Sequence, residues 1–381
     1  MQSQTSYELQ ADLRGAWLSI DLGAIRHNVW QLRAFLPRDT RIMAVVKADG
    51  YGHGALMTAR TALEAGAEWL GVATVAEGLQ LRSAGINCPI LLLGLLVPDA
   101  YPAAIANGFH LTVADGREIR RIEAIATSLN QVANVNLKVD TGMTRVGALP
   151  SEVAGLISLV DSLPNIRLAG LSSHFAKSEE ENEKNKENAT ERQLSIFREL
   201  QRSLHLPASI LLHTANSAAT LFHPESHYDL VRPGLILYGV SPNSKRSLPF
   251  PLRPALSLKA RITQLKTVPP GVPIGYSGTF VSSRLTTVAL LPVGYADGLP
   301  RCLSNRQDVL VRGKRCPIIG NISMDQCAID VTDVPVEVGE AVTLLGEGIG
   351  VEEWSETAKT IPYEIICGLG MRLPKVFENE K

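Results

Sequence analysis

Eight short apolar runs recur along the first two thirds of the chain, at residues 41–46, 69–73, 90–93, 110–113, 135–139, 166–171, 210–212 and 230–232. Helical or loop segments lie between them, among them 76–84, 116–129, 151–161 and 191–204. Alternating strand and helix argues for a parallel sheet, because parallel strands need crossover connections. Eight such units fit a closed (β/α)8 barrel of roughly 200–250 residues. The last units are weaker, and periodicity alone leaves an open doubly wound sheet as an alternative. Ahead of these runs, residues 16–21 alternate like a half-buried strand. Residues 22–36 read as a helix with Leu22, Ile25, Val29, Leu32 and Leu36 on one face and Asp21 as its N-cap.

Near Arg253 the texture changes. Short alternating segments occur at 256–265, 286–292, 309–312, 327–331 and 341–345. Turns such as Pro269-Pro270-Gly271 and Arg312-Gly313-Lys314 separate them, which argues for a second, β-rich domain. A chain of 381 residues is too long for one compact core, so this division is expected on size as well.

A net charge of −1 provides no electrostatic case for nucleic acid or an anionic membrane. The longest apolar run, 90–97, falls far short of the roughly 20 residues a membrane helix needs. Residues 1–10 are polar and lack the apolar core of a secretory signal. Cys88, Cys302, Cys316, Cys327 and Cys367 form no C-x-x-C pair, so neither a disulfide framework nor a zinc site is expected, and a cytosolic setting is. The charged run at 179–193 reads as a solvated helix or loose loop without chemistry.

Chemistry is expected where buried strands end. The first barrel run ends on Lys47, followed by Ala48-Asp-Gly-Tyr-Gly-His-Gly54. Burial disfavours the ammonium form, and a neutral lysine amine can attack a carbonyl to form a Schiff base. Taken alone, a lysine after a strand is ordinarily a solvated loop residue. The same caution holds for Arg145 in Lys138-Val-Asp-Thr-Gly-Met-Thr-Arg-Val-Gly147, whose fork suits a carboxylate or phenolate, and for His174 after the sixth run. In His213-Thr-Ala-Asn-Ser217, Asn216 or Ser217 can cap a helix whose N-terminus also suits phosphate. The backbone of Gly234 and Leu235, after Arg232, can complete a phosphate nest.

These segments resemble alanine racemases, in family order, from about Trp17 to Pro374. Val45-Val-Lys-Ala-Asp-Gly-Tyr-Gly-His-Gly54 is similar to the family's cofactor-lysine motif. The resemblance implies a pyridoxal 5'-phosphate-bearing (β/α)8 TIM-like barrel over 22–252 and a mainly-β domain over 253–381, with the N-terminal strand in 1–21 joining the latter. It implies a Schiff base on Lys47 and phosphate contacts from Tyr51, Asn216, Ser217, Gly234 and Leu235. His174 would lie beside the cofactor ring, and Arg145 would bind the cofactor phenolate and the substrate carboxylate. Lys138 would support Arg145, as a carbamylated side chain does in several members. Arg232 would face the pyridine nitrogen, and an arginine keeps its proton there, weakening the ring as an electron sink and limiting leakage into transamination.

Pro273-Ile-Gly-Tyr-Ser-Gly-Thr279 resembles the segment with the catalytic tyrosine. The resemblance implies two bases, Lys47 for the D-substrate proton and Tyr276 for the L-substrate proton. A tyrosine of pKa roughly 10 needs help to act as a base near neutrality. Tyr276 would come from a partner subunit, making a homodimer with shared active sites. Tyr295 in Pro292-Val-Gly-Tyr-Ala-Asp-Gly298, with Met324 and Asp325 in Ile322-Ser-Met-Asp-Gln326, would contact substrate or line its entrance, and Arg301 would lie further out. The implied activity is interconversion of L- and D-alanine in the cytoplasm, supplying D-alanine for peptidoglycan. Ser323 and Asn321 stand where a cysteine and an arginine are common. Met371 falls where some members place a phosphate-binding tyrosine, which would leave Tyr51, Ser217 and backbone N–H groups to hold the phosphate.

A serine or broad-range racemase is the nearest rival. A non-catalytic pyridoxal-phosphate carrier would resemble the barrel alone, and Tyr276 and Met324 count against it. A barrel-type decarboxylase needs no second proton-transfer face and would place an acid where Arg232 stands.

Overall fold

The computed structural model describes residues 6–180 and 188–380. Part of the charged run, 181–187, lies outside the described residues; the helix Ala189–Leu204, capped by Asn188, comes next in the chain. The chain divides into two compact units, one of Met1–Ile25, Tyr51–Gly54 and Arg253–Lys381, the other of Arg26–Gly50 and Ala55–Leu252.

Strand β1 (Ala16–Asp21) belongs to the first unit. The second unit is built on β2 (Arg41–Val45), β3 (Trp69–Val72), β4 (Ile90–Leu92), β5 (His110–Val113), β6 (Ala133–Lys138), β7 (Ile166–Ser172), β8 (Leu211–His213) and β9 (Leu230–Val231). All pair in parallel in the order β8-β7-β6-β5-β4-β3-β2-β9. Asp229 N–H to Leu212 O at 3.1 Å and Arg232 N–H to Ala215 O at 2.9 Å link β8 to β9. The sheet is therefore a nearly closed barrel, not an open doubly wound sheet. Most of these strand residues are buried, as parallel sheets require. Met43, Trp69, Leu91 and Leu230, from four strands, form one buried cluster.

The first unit adds β10 (Leu256–Arg261), β11 (Gln264–Val268), β12 (Pro273–Ile274), β13 (Phe280–Val281), β14 (Thr286–Leu291), β15 (Asp308–Val311), β16 (Lys314–Ile319), β17 (Cys327–Asp330), β18 (Ala341–Leu345) and β19 (Lys375–Glu378). Nine strands make one sheet, ordered β11-β14-β17-β16-β15-β18-β10-β1-β19, and β12 with β13 makes a small hairpin. The N-terminal strand thus joins the β unit, antiparallel to β10 and parallel to β19.

The single run expected at 256–265 is two strands. β10 neighbours β1 and β18 whereas β11 neighbours β14, six places away in the sheet, so the chain must break between Arg261 and Gln264. Two helices, Val351–Ala358 and Pro362–Gly368, accompany the strands of this mainly-β region.

Candidate functional site

In the barrel unit, residues expected to do chemistry gather at the ends of the strands. β2 ends one residue before Val46, and Lys47 comes next, half-buried. The turn after it is not an ordinary glycine-rich loop. Ala48 (φ 52°, ψ 51°), Asp49 (φ 52°, ψ 46°), Gly50 (φ 63°, ψ 43°) and Tyr51 (φ 53°) are all left-handed. For a residue with a Cβ this conformation costs about 1–2 kcal/mol, so the surroundings must hold it. Gly50 N–H donates to Val46 O at 2.9 Å. Asp49 Oδ1 accepts from Ala55 N–H at 2.8 Å, and Glu77 Oε1 accepts from Ala48 N–H at 2.7 Å.

Arg232, one residue past β9, is 6% exposed. Its Nη1 donates to His213 O at 2.7 Å and to His213 Nδ1 at 2.8 Å. Its Nη2 donates to Ser173 O at 2.7 Å, Thr214 O at 3.1 Å and His174 Nδ1 at 3.2 Å. A guanidinium can only donate, so both imidazoles accept through Nδ1. His213 therefore carries its hydrogen on Nε2, which faces Asn136 Oδ1 at 3.2 Å. Burial lowers the Arg232 pKa to about 10, which leaves it cationic at neutral pH. Burial first, then the Arg232 charge, holds His213 and His174 well below the ordinary histidine value, so both are neutral.

Lys138, the last residue of β6, is buried. Burial, then the charges of Arg232, Arg145 and Lys47, lowers its pKa to about 7. Arg145 sits in a turn organised by Asp140, whose Oδ1 accepts from Gly142, Met143 and Thr144 N–H at 2.9–3.0 Å. Burial works against the Asp140 carboxylate, but these backbone N–H bonds prevail and lower its pKa. Gly147 is required at the close of this turn: at φ 145° an added Cβ would lie 2.4 Å from Asp140 N.

Asn216 is the N-cap of the helix Ser217–Phe222, with Oδ1 accepting from Ala219 N–H at 2.9 Å and from Ser178 Oγ–H at 2.8 Å. Ser217 Oγ accepts from Gly234 N–H at 2.9 Å. The Gly234 N–H is thus taken by the protein, and the Ser217 hydroxyl keeps a hydrogen to donate. Leu235, also buried, opens the turn Leu235–Tyr238.

The fit of this unit to a phosphorylated aromatic aldehyde rests on its donor set. Arg232, Arg145 and Lys47 are close enough to depress the Lys138 pKa, and the carboxylate acting on Lys138, Asp140, is tied down by backbone N–H groups. Such a collection of cations and a hydroxyl suits a ligand of several negative charges.

In the β unit Tyr276, Tyr295, Met324 and Asp325 are displayed rather than buried. Tyr276, in the turn Tyr276–Gly278 between β12 and β13, is 73% exposed, and Asn321 Nδ2 donates to its carbonyl at 2.8 Å. A hollow of about 580 Å³ beside it is lined by Lys266, Tyr276, Asn321, Ser323 and apolar residues of β11, β14 and β17. Tyr295 and Met324 are drawn together by the backbone: Tyr295 N–H donates to Ser323 O and Ala296 N–H to Met324 O, both at 3.0 Å. Asp297, fully buried, accepts from Gly294 N–H at 3.0 Å and Arg14 Nη2 at 2.8 Å, with Arg372 Nε at 3.2 Å. Arg372 continues to Asp325 at 2.7 Å. Arg301 opens an exposed turn.

Tyr51 belongs to this unit and is buried. Burial, then Tyr363 and Cys367, raises the pKa of its hydroxyl. Met371 is 99% exposed, whereas the ring of Tyr363 lies 5.9 Å from that of Tyr51. The aromatic companion of Tyr51 is therefore Tyr363, in Pro362-Tyr-Glu-Ile-Ile-Cys367, and not a residue at the Met371 position, where the family pattern directs attention. The sequence does carry a signal for it, a tyrosine in a helix-opening Pro-Tyr-Glu.

Residues 20–242 match the alanine racemase N-terminal domain and residues 255–377 the alanine racemase C-terminal domain. The chain is 41% identical over 374 residues to an alanine racemase of Halothermothrix orenii, covering 96% of this chain and 98% of that one. It is 43% identical over 368 residues to an alanine racemase of Synechocystis sp., covering 95% and 98%. The crystal structure of alanine racemase from D-cycloserine producing Streptomyces lavendulae superposes with a TM-score of 0.88 at 38% identity, covering 96% of this chain and 97% of that one.

Proposed function

The chain belongs to the alanine racemase family, an isomerase family dependent on pyridoxal phosphate; it interconverts L- and D-alanine, and we propose that Lys47 carries the cofactor and that Lys47 and Tyr276 are its two bases. Bound through its aldehyde to the Lys47 amine, the cofactor supplies an electron sink for breaking the Cα–H bond of alanine. The remaining work belongs to the protein.

Ser217 Oγ–H and the Tyr51 hydroxyl hold the phosphate, with the Leu235 backbone; Asn216 and Gly234 act by capping the helix and by orienting the Ser217 hydroxyl. Arg145 binds the substrate carboxylate. Arg232 stays protonated and fixed by three carbonyls, so toward a ring nitrogen it is a donor that keeps its hydrogen. His174, neutral, would lie beside the ring. Racemisation moves a proton off one face of Cα and onto the other, and two acid–base groups on opposite sides do this most economically. The Lys47 amine handles the D-alanine proton and the Tyr276 phenol the L-alanine proton. Tyr276 comes from a second copy of the chain, in a homodimer whose two sites are shared, and its exposure in a single chain supports this. Met324 binds the substrate, with Asp325 beside it, and Tyr295 lines the substrate entrance. The five cysteines are free thiols, which supports a reducing, cytoplasmic setting.

The observation that carries this reading is the set of cations at the strand ends, buried Lys138 and Arg232 with half-buried Lys47 and exposed Arg145, the other three lowering the Lys138 pKa. The test is racemisation of L- and D-alanine in deuterated water by purified protein with pyridoxal phosphate, beside Lys47→Ala. Wild type should interconvert the enantiomers with deuterium at Cα, and the variant should do neither. Wild type that binds the cofactor yet exchanges no Cα hydrogen on alanine, while exchanging that of serine, would overturn the substrate assignment.

A further inference from the structure

Resting on the reading of Lys47 as the cofactor lysine, we propose that Glu77 is a positioning residue for it, the clasp that holds the left-handed turn on which Lys47 is mounted. Glu77 lies thirty residues downstream, at the start of the helix Val75–Ser83 after β3. Its Oε2 accepts from Ala73 N–H at 2.7 Å and Thr74 N–H at 3.1 Å. Its own N–H donates to Thr74 Oγ1 at 3.2 Å, completing a capping box. Its Oε1 leaves that helix and accepts from Ala48 N–H at 2.7 Å. One carboxylate therefore ties the turn after β2 to the turn after β3, gripping the residue next to Lys47.

A second unit of the same barrel shows what this glutamate does elsewhere. After β5, Glu118 occupies the corresponding third helical position behind its cap Asp115. Its Oε2 accepts from Ala114 N–H at 3.0 Å, as the Glu77 Oε2 accepts from Ala73 N–H. Its Oε1, however, accepts from the Tyr101 hydroxyl at 2.7 Å, a side chain of the outer helices. The capping arm is common to both units, and the arm toward Ala48 is peculiar to Glu77. The turn it grips needs a restraint, because Ala48, Asp49 and Tyr51 hold positive φ without being glycine. A charged acceptor is stronger than a neutral one for such an N–H.

Two substitutions separate the arms. Glu77→Gln keeps a carbonyl oxygen for Ala73 and Thr74 but turns an amide N–H₂ toward Ala48 N–H, opposing donor to donor. Thr74→Ala removes the capping partner and leaves Glu77 Oε1 in place. On the holoenzyme we expect Glu77→Gln to raise deuterium uptake in a peptide spanning 46–51 about tenfold. It should lower kcat for alanine on the order of tenfold to a hundredfold with KM little changed. Its Tm should stay within a few degrees of wild type, about 2–4 °C. Thr74→Ala should lower Tm while leaving the uptake and kcat as in wild type. Wild-type uptake at 46–51 in Glu77→Gln would overturn the proposal, as would a Thr74→Ala protein with the same uptake and kcat losses. Borohydride fixation of the wild-type cofactor, followed by peptide mapping, tests the underlying reading separately. Label on a lysine other than Lys47 sinks that reading, and the uptake result still decides whether Glu77 holds the turn.

Discussion

The residues of the two units that are proposed to act in racemisation differ in how they are held. In the barrel unit Arg232 is 6% exposed and donates to carbonyls and imidazoles on every side, and Lys138, His213 and Ser217 are buried around it. In the β unit Tyr276 is 73% exposed, Met324 53% and Tyr295 43%. One set is fixed by the folding of a single chain; the other stands on the surface of its own unit, kept in shape by backbone bonds. Substitution of the hydrogen-bonded members of the first set should therefore cost stability and activity together, and substitution in the second activity alone; Lys138, a buried charge, is the exception.

Tyr276→Phe should show the largest contrast. Loss of a proton-transfer group costs about 10²–10⁴-fold in turnover, and an exposed hydroxyl changes stability by no more than about 0.5 kcal/mol. Steady-state racemisation beside a thermal melt checks both; a destabilised Tyr276→Phe would erase the distinction between the units. Arg232→Leu should do the reverse in a cofactor-free melt. It strands three buried carbonyls and two imidazoles, and at about 1–3 kcal/mol for each unmet group a loss of roughly 3 kcal/mol or more is expected by urea unfolding. Gly147→Ala should cost about 2 kcal/mol through its positive φ and the approach of Asp140 N, and it should weaken carboxylate binding by disturbing the Arg145 turn, read as a raised KM.

The smallest effect concerns Lys138. Its pKa of about 7 in the folded protein lies below the roughly 10.4 of an unfolded lysine. Between these values the unfolded chain binds more protons, so the Lys138 contribution to stability rises with pH; below about 7 both states are protonated and the cost of the buried charge is complete. In cofactor-free protein Lys138→Met should therefore stabilise at pH 6, by roughly 1 kcal/mol, and its advantage should fade toward pH 10. An advantage that grew with pH would contradict the direction of the Lys138 shift.

Legibility in the sequence tracked the range of the interactions. The eight strand runs and Lys47 are local patterns, and β5 (His110–Val113) and β18 (Ala341–Leu345) begin and end where alternation predicts. The break between β10 and β11 was not legible, because it depends on which distant strands each pairs with. Ala48 and Asp49 offer no sign of left-handed backbone; among the bonds that hold it, the one from Ala48 N–H goes to Glu77, visible locally only as a Thr-x-x-Glu cap. The pairing of Tyr51 with Tyr363 joins residues more than three hundred positions apart, and the Arg232 network draws on three strand ends.

The shared site is the central claim, and co-expression tests it most directly. Lys47→Ala and Tyr276→Phe proteins, each inactive alone, are produced together with separable tags, and the mixed dimers are purified and assayed. If Tyr276 serves the Lys47 of the other copy, a mixed dimer contains one intact site of two. Its activity should be about half that of wild type, and an unsorted mixture should reach about a quarter. If each chain uses its own tyrosine, no intact site forms, and purified mixed dimers as inactive as either parent would contradict the account.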